Sequence, residues 1–134
     1  MQQIATCLMF VGDQCGRAKE AIGLYVSLFE DSRVLELEHH RADDEASGVK
    51  RARFLLAGRE HMAMDSAGEH RFTFTPATSL FVECDVERQI DDAFAELARD
   101  GSILMPLQAY PFSSRFGWLV DRFGVSWQLN LVTG

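Results

Sequence analysis

The chain is expected to be an α+β protein of two βαβββ modules, about residues 1–70 and 71–134, forming curved mixed sheets around a cleft within one domain. Three observations predict this. First, the hydrophobic period changes along the chain in the order strand, helix, three strands. Second, that order occurs twice, at an offset of 72 residues: Thr6 falls on Thr78, Leu8 on Leu80, Asp13 on Asp85, Ala18 on Ile90, Ala21 on Ala93, Ile22 on Phe94 and Tyr25 on Leu97. Any two strand-then-amphipathic-helix units look broadly alike, but here cap, helix face and strand length repeat together. Third, the chain ends in a hairpin, Arg115 to Leu131, with a turn at Asp121–Gly124. Gly124 suits the positive φ of such a turn. Val125, Trp127, Leu129 and Leu131 point one way from its second strand; Ser126, Gln128 and Asn130 point the other, where a polar face can line a cavity.

The elements follow in order. Residues 4–11 read as a nearly continuous apolar strand, closed by Gly12-Asp13, with Asp13 as a helix cap. Ala18, Ala21, Ile22, Tyr25, Leu28 and Phe29 define one face of a helix over 15–29. Strands follow at 33–40, 49–57 and 60–65. An acidic loop from Ala42 to Ser47 separates the first two, and Gly58-Arg59 turns the chain before the third. After a connector at 67–76, residues 78–84 form a strand with Asp85 as cap. The second helix carries Ile90, Ala93, Phe94, Leu97 and Ala98 on one face, and Gly101 is expected in the left-handed position after it. Strands at 102–110, 115–121 and 125–131 complete the chain.

Composition narrows the function. At 134 residues, 47% apolar and 25% charged, the chain is of ordinary size and composition for one globular domain with a core. A net charge of −7 argues against nucleic acid or an anionic membrane as partner. The local basic cluster, Lys50, Arg51 and Arg53, reads as a solvated strand face. No apolar run approaches the roughly 20 residues of a membrane span, and the N-terminus has no basic region or cleavage site of a signal peptide. Cys7, Cys15 and Cys84 are an odd number without close pairing, which points to reduced thiols in a cytoplasmic protein.

Single residues offer few chemical groups. Cys7 and Cys84 sit in apolar strands, as small buried hydrophobes do. Cys15 lies near a helix N-terminus, a place that can lower a thiol pKa. Asp43, Asp44 and Glu45 read as a solvated acidic loop, and Asp121 as a turn residue rather than a base. His39, His40, His61 and His70 read as surface histidines. His61 and Asp65, at i and i+4 on one strand face, are the fallback metal ligands, although about 13 Å separates them along a strand. Trp127 is expected in the core beneath a helix. Phe116 and Trp118 share strand parity and suit either the wall of an aromatic cavity or a dimer contact.

The stretches LMFVGDQCGRAKEAIGLYVSLFEDSRVL (Leu8 to Leu35), FTFTPATSLFVECD (Phe72 to Asp85) and GWLVDRFGVSWQL (Gly117 to Leu129) resemble the PhnB-like branch of the vicinal-oxygen-chelate superfamily, whose fold is that of glyoxalase and the bleomycin-resistance proteins. The branch is often labelled 3-demethylubiquinone-9 3-methyltransferase. The family often has Cys before the Gly-Trp pair, where this chain has Phe116. No strand followed by a Gly-rich loop and helix, of the kind that usually holds S-adenosylmethionine, stands out. The resemblance implies a homodimer and a cavity for a small organic molecule. Metal-using members of the superfamily take ligands from the first and last strands of each repeat. Carried over, these positions are Thr6, then Thr78 or Ser79, then Gln128, and one of Met62, Ala63 and Met64. Hydroxyls, an amide and thioethers do not anchor a divalent ion as His and Glu do. The expectation is therefore a ligand-binding protein without cofactor or catalytic metal, with Thr6, Ser79, Phe116, Trp118 and Gln128 at its cavity. The alternative is a metal-dependent enzyme of glyoxalase or dioxygenase type.

Overall fold

A computed structural model describes residues 1–41 and 48–133. The acidic loop expected at Ala42 to Ser47, with Asp43, Asp44 and Glu45, lies outside the described residues. The chain divides into two units, Met1–Thr73 and Phe74–Gly134. Each is a βαβββ module, so the fold is α+β with two four-stranded mixed sheets.

In the first unit, β1 (Thr6–Phe10) leads through a short 3-10 turn (Gly12–Gln14) into α1 (Ala18–Leu28). Strands β2 (Arg33–His39), β3 (Val49–Leu56) and β4 (Arg59–Asp65) follow, and the sheet order is β1-β4-β3-β2. β1 runs parallel to β4; the other pairs are antiparallel. Alternation sorts the side chains. Leu8, Phe10, Ala52, Phe54, Leu56, Ala63 and Asp65 are buried on the face that α1 covers with Ala18, Ala21, Ile22 and Tyr25. These four are the inner part of the predicted helix face; Leu28 and Phe29, at the end of the helix, are only half-buried.

The second unit repeats the plan. β5 (Ser79–Cys84), α2 (Glu87–Ala98), β6 (Ser102–Tyr110), β7 (Ser113–Val120) and β8 (Ser126–Leu131) give the order β5-β8-β7-β6. β5 is parallel to β8, as β1 is to β4. Ile90, Ala93, Phe94 and Leu97 bury the inner face of α2. Gly117 lies against the Phe94 ring, where any Cβ would collide with it. Arg115, two residues earlier on the same face, pairs with Asp91 of α2 at 2.6 Å. Trp127 and Leu129 share this covered face, and Trp127 is buried as expected.

The helix boundaries depart from expectation at their caps. Neither Asp13 nor Asp85 caps a helix: the capping positions are Arg17 and Val86, and neither side chain makes a capping hydrogen bond. Asp65 does this for α1 from the far end of the module. Its Oδ1 accepts from Gly16 N at 2.7 Å and Ala18 N at 3.2 Å, and its Oδ2 accepts from Val49 N at 2.8 Å. A carboxylate at a helix N-terminus satisfies amides that have no intrahelical partner and favours the dipole. At the end of α2 it is Asp100, with φ of 59°, that turns left-handed, not Gly101. Gly101 is required by space instead, since a Cβ there would overlap the carbonyl oxygen of Val120.

Candidate functional site

The face of the second sheet turned away from α2 is laid out by strand register. One row across it reads Ser79, Ser126, Val120, Ser102; the next Phe81, Gln128, Trp118, Met105; the third Glu83, Asn130, Phe116, Gln108. Residues in register on neighbouring strands point to the same side, at a spacing of about 4.8 Å. Ser79, Phe116, Trp118 and Gln128, expected at a cavity from the sequence, are therefore on one face.

These side chains are linked by hydrogen bonds. Trp118 Nε1 donates to Ser126 Oγ at 2.8 Å, Ser126 and Ser79 share a hydroxyl bond of 2.6 Å, and Gln128 Nε2 donates to Ser79 Oγ at 3.2 Å. Ser126 is 1% exposed, so this network is anchored in the protein interior. Two hydroxyl protons are available and one is spent between the serines. The other remains on whichever serine does not donate within the pair. The network thus carries one spare hydroxyl donor and the Gln128 amide oxygen as an acceptor, with no formal charge.

Aromatic rings border it. The Phe116 ring lies 6.4 Å from that of Phe81, 6.0 Å from that of Tyr110 and 5.1 Å from that of Phe112, the last two contacts edge-on. Tyr110 and Phe112 stack at 5.6 Å. Phe116 is buried, whereas Phe81 is 56% and Phe112 66% exposed. Beyond the third row the face opens into a recess of about 510 Å³, lined by Glu83, Tyr110, Phe112, Ser113 and Asn130 among others.

Thr6 sits differently. It is in register with His61, and it shares the parity of Leu8 and Phe10. That is the α1-facing side of the first sheet, at its exposed end. The residue matching Ser79 is Cys7, which pairs with Met62 as Ser79 pairs with Ser126. Likewise Met64 matches Gln128. The shift by one residue reverses the face because side chains alternate along a strand. On the helix-free face of the first sheet, Cys7, Met62, Arg53 and Glu36 form one row. Arg53 pairs with Glu60 at 3.0 Å, and Arg51 with Glu36 at 3.2 Å and Glu38 at 3.5 Å. The basic cluster read as a solvated strand face is such a face, closed by acidic partners on β2 and β4.

The fallback metal pair does not assemble. His61 and Asp65 share a face, but both Asp65 oxygens are occupied by the three backbone amides. His61 is half-buried rather than superficial. Its ring lies 5.7 Å from that of Phe54, and its Nδ1 is buried without a partner among the described residues. Burial, with Arg59 nearby, holds its pKa below the ordinary histidine value. His40 and His70 are half-buried as well: His40 Nε2 meets the Asp65 carbonyl at 2.9 Å and His70 Nε2 the Ser66 hydroxyl at 3.0 Å. His39 alone of the four is exposed. Among the described residues, no group of three or more His, Cys, Asp and Glu side chains is placed to hold a metal ion.

The thiols are shifted upward. Burial pushes Cys15 up, and the Asp65 carboxylate adds to it, so the helix N-terminus does not activate this thiol. The Asp65 carboxylate that binds the helix amides also cancels their positive end. Burial raises Cys7 and Cys84 too, although Cys7 is exposed rather than buried. Asp121 is a turn residue. Its Oδ1 accepts from Phe123 N at 2.9 Å and Val125 N at 3.0 Å, and its Oδ2 from Trp127 Nε1 at 2.9 Å.

Sequence reasoning did not single out Glu83, Phe81, Tyr110 or Phe112. A signal existed for Glu83: it is one charge in an otherwise apolar strand, SLFVEC, two residues from Phe81 and so on its face.

The comparisons with known proteins agree with this architecture. The family model for 3-demethylubiquinone-9 3-methyltransferase matches residues 2–130. A putative 3-demethylubiquinone-9 3-methyltransferase, PhnB protein, from Bacillus cereus is 48% identical over 98% of this chain and 100% of its own, with a TM-score of 0.91. A Pseudomonas aeruginosa protein, PA1353, shares the fold at 24% identity and a TM-score of 0.80, covering 98% of both chains. So does the fosfomycin resistance protein FosX of Listeria monocytogenes, complexed with Mn(II) and sulfate, at 12% identity and 0.63 over 98% of this chain and 90% of its own. Among curated proteins none matches. No described helix is long and apolar enough to cross a membrane. The chain thus belongs to the 3-demethylubiquinone-9 3-methyltransferase, or PhnB-like, family, built on the vicinal-oxygen-chelate fold.

Proposed function

We propose that the protein binds a small organic molecule on the helix-free face of its second sheet, without a catalytic metal. The observation that carries this reading is the chain Trp118–Ser126–Ser79–Gln128, an uncharged hydrogen-bonding strip beside exposed rings. Such a strip orients a ligand, and the aromatics supply affinity. The strand positions that would supply metal ligands hold Cys7, Met64, Ser79 and Gln128. A divalent ion such as manganese prefers carboxylate and imidazole donors, which this set lacks. Methyl transfer is not favoured either. At the strand–glycine–helix junction of the first module, the first amides of α1 are already bound by Asp65. A homodimer is part of the proposal, supported by Ile103 and Leu104, exposed on the edge strand β6. A cytoplasmic location is supported by three unpaired cysteines.

The second reading, a metal-dependent glyoxalase-type or dioxygenase-type enzyme, is separated by loading the protein with Zn, Ni, Mn and Fe(II), desalting, and measuring metal per chain. Near-zero retention is expected; close to one ion per chain overturns the metal-free reading. Gln128→Ala then distinguishes binding from catalysis. Ligand affinity should fall by about tenfold, the loss of one hydrogen bond to a ligand, with the melting temperature unchanged. Loss of a turnover activity would place the protein among the enzymes instead.

A further inference from the structure

We infer that the recess at the end of this face seats an organic ammonium group, carried by a ligand whose apolar body lies along the exposed ring of Phe81. The inference rests on the ligand-binding reading above and names the chemical class of the ligand. Three observations lead to it. Glu83 is the acidic residue of the recess, and its carboxylate has no hydrogen bond or ion pair among the described residues. The other recess walls are neutral: among the described residues, no Lys or Arg lines it. Finally, the stacked rings of Tyr110 and Phe112 stand in the same recess, with Phe116 edge-on behind them.

Aromatic faces carry negative charge density and attract a cation; an ammonium with alkyl substituents is weakly enough hydrated to leave water for them. A nearby carboxylate adds a Coulomb term of the same sign, and among the described residues no cation of the recess competes to neutralise it. The ring stack is held in place independently of any ligand. The Tyr110 hydroxyl donates to the Pro106 carbonyl at 2.7 Å, and the Ser113 hydroxyl bonds Asn130 Oδ1 at 2.5 Å. The row Glu83, Asn130, Phe116 places the carboxylate two strands from the buried ring. By strand spacing this is about 10 Å between backbones, a span that one substituted ammonium between the side chains fills. An anionic ligand meets the Glu83 carboxylate here and, among the described residues, no Lys or Arg to offset it.

The test is calorimetric titration of the full chain at low salt with three matched probes: benzyltrimethylammonium, benzyl alcohol and benzoate. Benzyltrimethylammonium is expected to bind about tenfold more tightly than benzyl alcohol, with benzoate weakest. Glu83→Gln should cut the preference several-fold, to what the rings alone supply, and leave benzyl alcohol unaffected. Glu87→Gln, which changes the net charge equally from an exposed position on α2, should keep it. Equal binding of all three probes overturns the inference, as does an equal loss in both variants, which would mark a bulk-charge effect. Absence of ammonium binding at millimolar concentration overturns it too. If benzyl alcohol binds as well as the cation and Gln128→Ala weakens it, the ligand-binding function stands and the ammonium seat alone falls.

Discussion

The two sheets have one plan, but their helix-free faces differ in chemistry. On the first, Arg51 and Arg53 are matched by Glu36, Glu38 and Glu60, so every charge of that ladder has a partner of opposite sign. On the second, the row positions hold hydroxyls, amides and rings beside the apolar Val120 and Met105, and Glu83 has no partner among the described residues. A closed ladder has little left to offer a ligand; an unsaturated face has a donor, an acceptor, a carboxylate and π surfaces. The backbone repeat therefore does not repeat the chemistry. The reason is that α1 and α2 constrain only the faces they cover, leaving alternate residues free to diverge.

The modules differ also in how each buried aspartate is used. Asp121 binds within its own turn, so it is set by local sequence. Asp65 binds amides 49, 47 and 16 residues away in sequence and joins β4 to both the α1 start and the β3 start. Asp65→Ala is the most severe test of this contrast. It leaves three backbone donors without their acceptor, and unfolding in urea should show a loss of about 3 kcal/mol or more. A loss below about 1 kcal/mol would mean that water replaces the carboxylate easily.

A smaller effect is expected at His61. With Cys7–Met62 aligned on Ser79–Ser126, His61 falls on Val125, just before β8, so the first module carries a half-buried titratable ring where its counterpart is a buried aliphatic side chain. The folded pKa of His61 lies below the unfolded value, so the unfolded chain binds more protons near and below pH 6.5. Stability is then unaffected above that range and falls as pH drops through it. His61→Val, which copies the second module, should flatten this acid-side slope in melts from pH 7.5 to 5. An unchanged slope would assign the acid sensitivity to other groups.

The smallest effect belongs to the ladder. Arg53→Ala removes partly exposed ion pairs and should cost about 0.5 kcal/mol, disappearing at high salt. Ligand affinity should not change. If it does change, the first face takes part in binding and the contrast between the faces narrows.

Much of the fold was legible because it depends on periodicity. The helix faces at Ala18, Ala21, Ile22 and Tyr25 and at Ile90, Ala93, Phe94 and Leu97 could be read from spacing, since each must bury one stripe. The C-terminal alternation likewise assigned Ser126, Gln128 and Asn130 to one side. The candidate site was legible only in part. Ser79, Phe116, Trp118 and Gln128 share a face, although none of them lines the recess, and Thr6 is out of phase with Ser79 by one residue. Repeat alignment matched Thr6 to Thr78, and nothing local says which of two adjacent hydroxyls faces the helix.

What the sequence determined by itself is thus the order of elements, their buried stripes, the Asp121 turn and the family. These follow from interactions between residues close in the chain, or from a pattern repeated along it. Tertiary structure alone decided the rest. It gave the helix cap to Asp65 in place of Asp13, raised the Cys15 thiol, half-buried His61, and set Glu83 in a recess with Tyr110 and Phe112. Each of these depends on which strands become neighbours and in what register, and a register is fixed by the packing of the whole sheet rather than by any one strand.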